Sequence, residues 1–251
     1  MNVQLIAHTA LSDGFAQLLE MYTVDKPSDR AAVALTAIRT CYSPLKPSEI
    51  ITEESHKYFG SSASDGEGGT DADRLFRHII RSKHSSTLEH VSYTFAIEGV
   101  SRSLLAQLTR HRQFSFSVQS QRYVKFGSKD RSQGFDYVTP PSITPDKIEP
   151  DRTYNDSDAA GLYESVMDYA QDVYDRLRAC GVLAEDARYV LPNAAACNLV
   201  MTANLRALIE FYGKRRPGNG AQWEIADLAE RLREEIVNVD AWTAGFFGCS
   251  A

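Results

Sequence analysis

One stretch of this chain repeats its apolar residues at every second position, while the segments around it do not. Over 90–98, Val91, Tyr93, Phe95 and Ile97 fall on one face and Ser92, Thr94 and Glu98 on the other, the pattern of a half-buried strand. Helical spacing surrounds it. Leu75, Ile79 and Ile80 predict a helix over 71–83, and Leu104, Leu105 and Leu108 predict another, capped by Ser101 or Ser103. A chain with few strands, many helices and no regular β-α alternation belongs to the α+β class. The expected architecture is a central, mostly antiparallel sheet flanked by long helices, in one domain over 1–251.

The remaining punctuation fits that frame. Val3 to Ala7 reads as a strand, and Asp29 is placed to cap a helix over 31–40 that Ser43-Pro44 stops. Residues 60–70, GSSASDGEGGT, hold too little apolar surface to pack and read as a mobile surface loop. A strand is expected over 121–126, then a proline-rich connection over 139–150. A long amphipathic helix over 154–180 closes at Gly181. Helical turns over 184–190, an ambiguous apolar run over 199–202, and helices over 204–212 and 221–237 complete the reading.

Composition narrows the classes of function. With 43% hydrophobic and 24% charged residues the chain is an ordinary globular one. No apolar run reaches the roughly 20 residues that a bilayer span needs. The opening Met1-Asn2-Val3-Gln4 lacks a basic-then-apolar leader, so a cytoplasmic protein with no membrane partner is expected. A net charge of −6 disfavours a dedicated nucleic-acid binder. Cys41, Cys180, Cys197 and Cys249 form no C-x-x-C pair and read as buried thiols. His78, His84 and His90 recur every six residues, a spacing that does not align ligands on one helical face, so no metal site is expected.

The chemistry concentrates in residues 107–123, QLTRHRQFSFSVQSQRY. Guanidinium forks suit phosphate oxygens and planar carbonyl edges, and aromatic rings offer stacking faces to a flat heterocycle. The segment reads equally as a site for phosphorylated planar ligands or as a solvated basic loop before an edge strand.

A resemblance adds to this. Arg110-His111-Arg112 followed after seven residues by Ser120, then Arg122 and Tyr123, resembles the R-H-R-x7-S signature of the flavin-dependent thymidylate synthases. His84 to His90 resembles that family's H-x-S/T-x-x-E-H segment. Arg188 with Val190-Leu191-Pro192, Asn204 with Arg206, and Ala221-Gln222-Trp223-Glu224 resemble its R-x-V-L-P, N-x-R and A-Q-W-E segments, all in the family's order.

The resemblance implies bound FAD contacted by His84, Ser86, Arg110, His111, Arg112, Asn204 and Arg206. Val118 stands where related chains often carry an acid, and Glu210 where an Asn or His often meets the flavin; both positions fall in the flavin set. Gln107, Arg110, Ser120, Gln121, Arg122, Arg188 and Arg215 would form the dUMP site. An arginine after the N-x-R helix would promote ionisation of the uracil. Counting from Asn204 gives Arg215, whereas counting back from Ala221 gives Arg216; a helix keeps its spacing better than a Pro/Gly loop, which favours Arg215. NADPH and 5,10-methylenetetrahydrofolate are the implied co-substrates, dTMP the product, and a homotetramer with shared active sites the implied assembly.

Overall fold

The computed structural model describes residues 1–24, 26–148 and 158–248. Four strands, β1 (Asn2–His8), β2 (Ser92–Ser101), β3 (Ser115–Val118) and β4 (Ala196–Asn204), form one mixed-order sheet with neighbours β1-β2-β4-β3. The α+β expectation holds: the sheet is antiparallel and helices make up most of the rest. Val91, Tyr93, Phe95 and Ile97 are all fully buried, so the period-two pattern does place one face of β2 in the core. The run over 199–202 resolves into β4, whose burial alternates as a strand's does. By residue contacts the chain forms two compact units, one of residues 1–2, 97–110 and 117–199, the other of 3–96, 111–116 and 200–251.

The first unit contains α5 (Arg102–Leu108), α6 (Ala159–Ala179) and α7 (Ala184–Ala187), the last running into a 3-10 turn, Arg188–Val190. Ser101 is extended and its hydroxyl accepts from the Leu104 amide, so it starts α5. Tyr174 is fully buried against Phe126 and Ala187, and its hydroxyl accepts from the Phe126 amide. Gly181, at φ +86, supplies the left-handed residue that ends α6. The expected start of that helix at 154 lies outside the described residues.

The second unit contains α1 (Asp13–Tyr22), α2 (Asp29–Tyr42), α3 (Ile50–Gly60), α4 (Asp71–Arg81), α8 (Leu205–Arg215) and α9 (Trp223–Val239). Thr70 and Asp73 close a reciprocal capping box on α4. Residues 61–70 fold back on themselves, with the Ala63 amide bonded to the Gly69 carbonyl at 3.0 Å. Arg77 holds Asp65 at 2.8 Å and Arg81 holds Glu67 at 2.6 Å. In the core, Asp240 is fully enclosed and accepts from Arg30, Ser28, Tyr93 and Trp242. Burial alone would raise its pKa, yet the Arg30 guanidinium and these donors hold it below the usual carboxylate value. The Tyr93 phenol is pushed far up by burial and by that carboxylate.

Three expectations need correction. Ser28, not Asp29, caps α2: it is extended and accepts from the Ala31 amide, while Asp29 turns to the Leu11 amide. The strand expected over 121–126 is displaced to Ser115–Val118. Ser120 instead opens a turn, its hydroxyl accepting from the Arg122 amide and its carbonyl from that of Val124, local bonds that compete with a strand ladder. Cys197 is buried as expected, but Cys41 and Cys180 are exposed because they stand at helix ends rather than on packed faces. Helices α1 and α3, and the 3-10 segment Ala241–Gly248, were not anticipated. No helix among the described residues is long and apolar enough to cross a membrane.

Candidate active site

In the second unit, α4 ends where Lys83 adopts φ +59, and the chain enters the 3-10 turn Ser85–His90. His84 stands at that entrance, its Nδ1 hydrogen-bonded to the Tyr42 hydroxyl from the last turn of α2, with the two rings edge to face at 5.6 Å. Ser86, Glu89 and His90 line a cavity of about 660 Å³, whose other walls include Leu11, Phe15 and Val33. Its walls are mostly apolar with a few polar groups, the usual make-up of a small-molecule pocket.

Helix α8 contributes at both ends. Asn204 caps it, accepting from the Ala207 amide at 2.8 Å. Leu205, Leu208 and Ile209 are buried, which fixes the opposite face outward. On that outer face Arg206 donates to Glu89 at 2.6 Å and to Glu210 at 2.9 Å, and the two carboxylates, Glu89 first, raise the guanidinium's affinity for its proton. At the other end Arg215, half-buried in the last turn, donates from Nε to His111 Nε2 at 3.3 Å. The His111 ring lies 5.7 Å from Phe114 and, edge to face, 4.8 Å from Phe211. Arg216 caps the helix exposed to solvent, and Arg112 is likewise exposed.

In the first unit the predicted substrate residues run from the last turn of α5 onward. Gln107 is half-buried and its carbonyl accepts from the amide of Arg110, whose side chain is exposed. Val118 ends β3, half-buried like Ser120, and Gln121 is buried. Arg122 donates to the Glu185 carboxylate at 3.0 Å, and Arg188 donates to the Glu185 backbone carbonyl at 2.9 Å. Each of these arginines also lies over a neighbouring ring, Tyr123 or Tyr189, both about four-fifths exposed. Glu185 thus joins two residues that belong to separate motifs.

Several participants had escaped the sequence reading. Glu210 as partner of Arg206 was legible as an i,i+4 pair. Tyr42 beside His84, and Phe211 beside His111, join segments far apart in the chain, for which a single sequence holds no signal. The donor set of the second unit suits an anionic dinucleotide with a planar ring: Arg112 and Arg215 have no carboxylate partner among the described residues, and Ser86 opens on a cavity with apolar walls. Arg206 suits it less directly, because its charge is already met.

These features suit planar, anionic ligands. The sequence model of the family described as thymidylate synthase complementing protein matches residues 22–240. A flavin-dependent thymidylate synthase of Geobacter sulfurreducens is 43% identical over 208 residues, covering 82% of this chain and 77% of the relative. One of Clostridium tetani is 34% identical over 223 residues, covering 82% and 78%. The chain belongs to this family, the flavin-dependent thymidylate synthases. The crystal structure of a UMP/dUMP methylase, PolB of Streptomyces cacaoi, bound with 5-Br dUMP, has the same fold, with a TM-score of 0.66 at 24% identity over 98% of this chain and 94% of that one.

Proposed function

We propose that this protein makes dTMP by reductive methylation of dUMP, with FAD as its cofactor, 5,10-methylenetetrahydrofolate as carbon donor and NADPH as reductant. Family membership supports the reaction, and the observation that carries the site is Arg215, a half-buried guanidinium held by an imidazole and met by no carboxylate among the described residues. A methylene carbon needs two electrons to become a methyl group, and FAD when bound supplies them as hydride.

The chain's own residues bind, orient and stabilise charge. Arg110, His111, Arg112, His84 and Ser86 are assigned to the cofactor by their motifs, with Asn204 and Arg206. Gln107, Ser120, Gln121, Arg122 and Arg188 are assigned to dUMP, their guanidiniums and amides matching its phosphate and uracil edges. Arg215 is assigned to the uracil N3 and O4, where a fixed positive donor stabilises an enolate-like ring by about 3 kcal/mol. Its position within the helix, against the exposed cap position of Arg216, supports that choice.

A cytoplasmic homotetramer completes the proposal. Leu162, Val166 and Tyr169 leave an apolar stripe exposed along α6, as a helix awaiting another chain would, and light scattering at the monomer mass alongside full activity would refute the assembly. Purified protein should be yellow, absorbing near about 450 nm, and should convert dUMP to dTMP only with all three co-reactants present. Protein that cannot be loaded with FAD overturns the reading.

A further inference from the structure

We propose that His111 is the positioning residue of Arg215, and that it orients this guanidinium without discharging it. The inference rests on the uracil-facing reading of Arg215. Arg215 spends its Nε–H on His111 Nε2, so that nitrogen carries no proton and the imidazole presents a lone pair, with its own proton on Nδ1. Nε is the nitrogen inside the side chain's fork. Using it as the anchor leaves both terminal amino groups for a planar pair of acceptors, the geometry that the N3/O4 edge of an ionised uracil offers.

The anchor is itself held. The His111 ring completes a three-ring cluster with Phe114 and Phe211, which also touch each other at 5.4 Å, and its interplanar angle is 24° to the first and 85° to the second. The Phe114 amide donates to the His111 carbonyl at 3.1 Å, which closes the turn that carries the imidazole. Phe114 is 7% exposed and Phe211 1%, so the surface the imidazole packs on is itself fixed, and turning the imidazole away would give up contact with two packed rings.

A carboxylate in place of His111 would orient Arg215 equally well, but it would cancel most of the charge and compete with the ligand for it. That is the situation of Arg206, between Glu89 and Glu210. A neutral acceptor fixes the fork and leaves its full charge for the ring.

The test compares His111→Phe, which keeps a packed ring and loses the acceptor, with His111→Gln, whose amide oxygen can still accept. Each is made in the wild-type and Arg215→Ala backgrounds, with FAD content read from absorbance and folding from thermal melts. With FAD saturating, His111→Phe should lower kcat about tenfold, with KM for dUMP moving less than about twofold. His111→Gln should recover most of that loss, and in the Arg215→Ala background His111→Phe should cost nothing further. Equal losses in both backgrounds, no recovery by His111→Gln, or a loss that disappears once FAD is saturating would each overturn the inference. Should His111→Phe fail to fold, His111→Leu, which also lacks the acceptor, takes its place in the same comparison with His111→Gln in both backgrounds. Wild-type enzyme that makes no dTMP would instead sink the proposed function, a distinct outcome.

Discussion

The two ends of α8 carry the same side chain in opposite electrostatic states. Arg206 stands in the first turn, where the helix dipole disfavours a cation, and two carboxylates meet it at 2.6 and 2.9 Å. Arg215 stands in the last turn, where the dipole favours a cation, and a neutral imidazole meets it at 3.3 Å. One guanidinium is neutralised and ties α8 to the Ser85–His90 turn; the other is oriented and left charged. Residue type does not separate them, but their partners do: the first is built as a clamp and the second as a reagent.

The largest expected effect follows from that contrast. Arg215→Ala should lower kcat by about a hundredfold or more, the scale for losing one preorganised donor at developing charge, while FAD content stays near wild type. Arg216→Ala, at an exposed cap, should stay within about threefold. Steady-state kinetics of dTMP formation check both. Loss confined to Arg216→Ala would reverse the comparison and place the extra residue of this chain inside the helix instead of the loop after it.

At the other end, Glu210→Gln sharpens the comparison. The amide keeps a hydrogen-bond acceptor for Arg206 but removes a negative charge from beside it. An anionic cofactor should then bind about three- to tenfold more tightly at low salt, an advantage that shrinks as ionic strength rises. Fluorescence titration of FAD into apo-protein gives the measurement. Weaker binding in Glu210→Gln would mean that the carboxylate itself contacts the cofactor, and Arg206 would no longer be the clamp described here.

The sequence showed one end of this contrast better than the other. Arg206 and Glu210 are an i,i+4 pair, readable on any predicted helix. His111 and Arg215 lie 104 residues apart, and nothing in either segment points to the other; the motif named both residues without joining them. The same split runs through the fold. The alternation over 90–98 located β2 because a half-buried strand writes its burial into every second residue. Helix α1 had a usable apolar spacing in Phe15, Leu18, Leu19 and Tyr22, but Ser12 makes no capping bond there. The strand placed at 121–126 shows the opposite error, since Ser120 and its local bonds turn the chain before a ladder can form.

The smallest expected effect tests whether the Arg206 clamp is a matter of stability at all. Its side chain is about a third exposed, and Glu89 is more open still, so water screens both partners and the pairs offset little more than the entropy of holding long side chains still. Arg206→Ala should therefore shift the free energy of unfolding by less than about 1 kcal/mol in urea titrations. Cofactor affinity should fall all the same, because the cation is lost along with its clamp. Substantial destabilisation with unchanged FAD affinity would make Arg206 a structural residue, and would leave Arg215 as the end of α8 that bears on ligands.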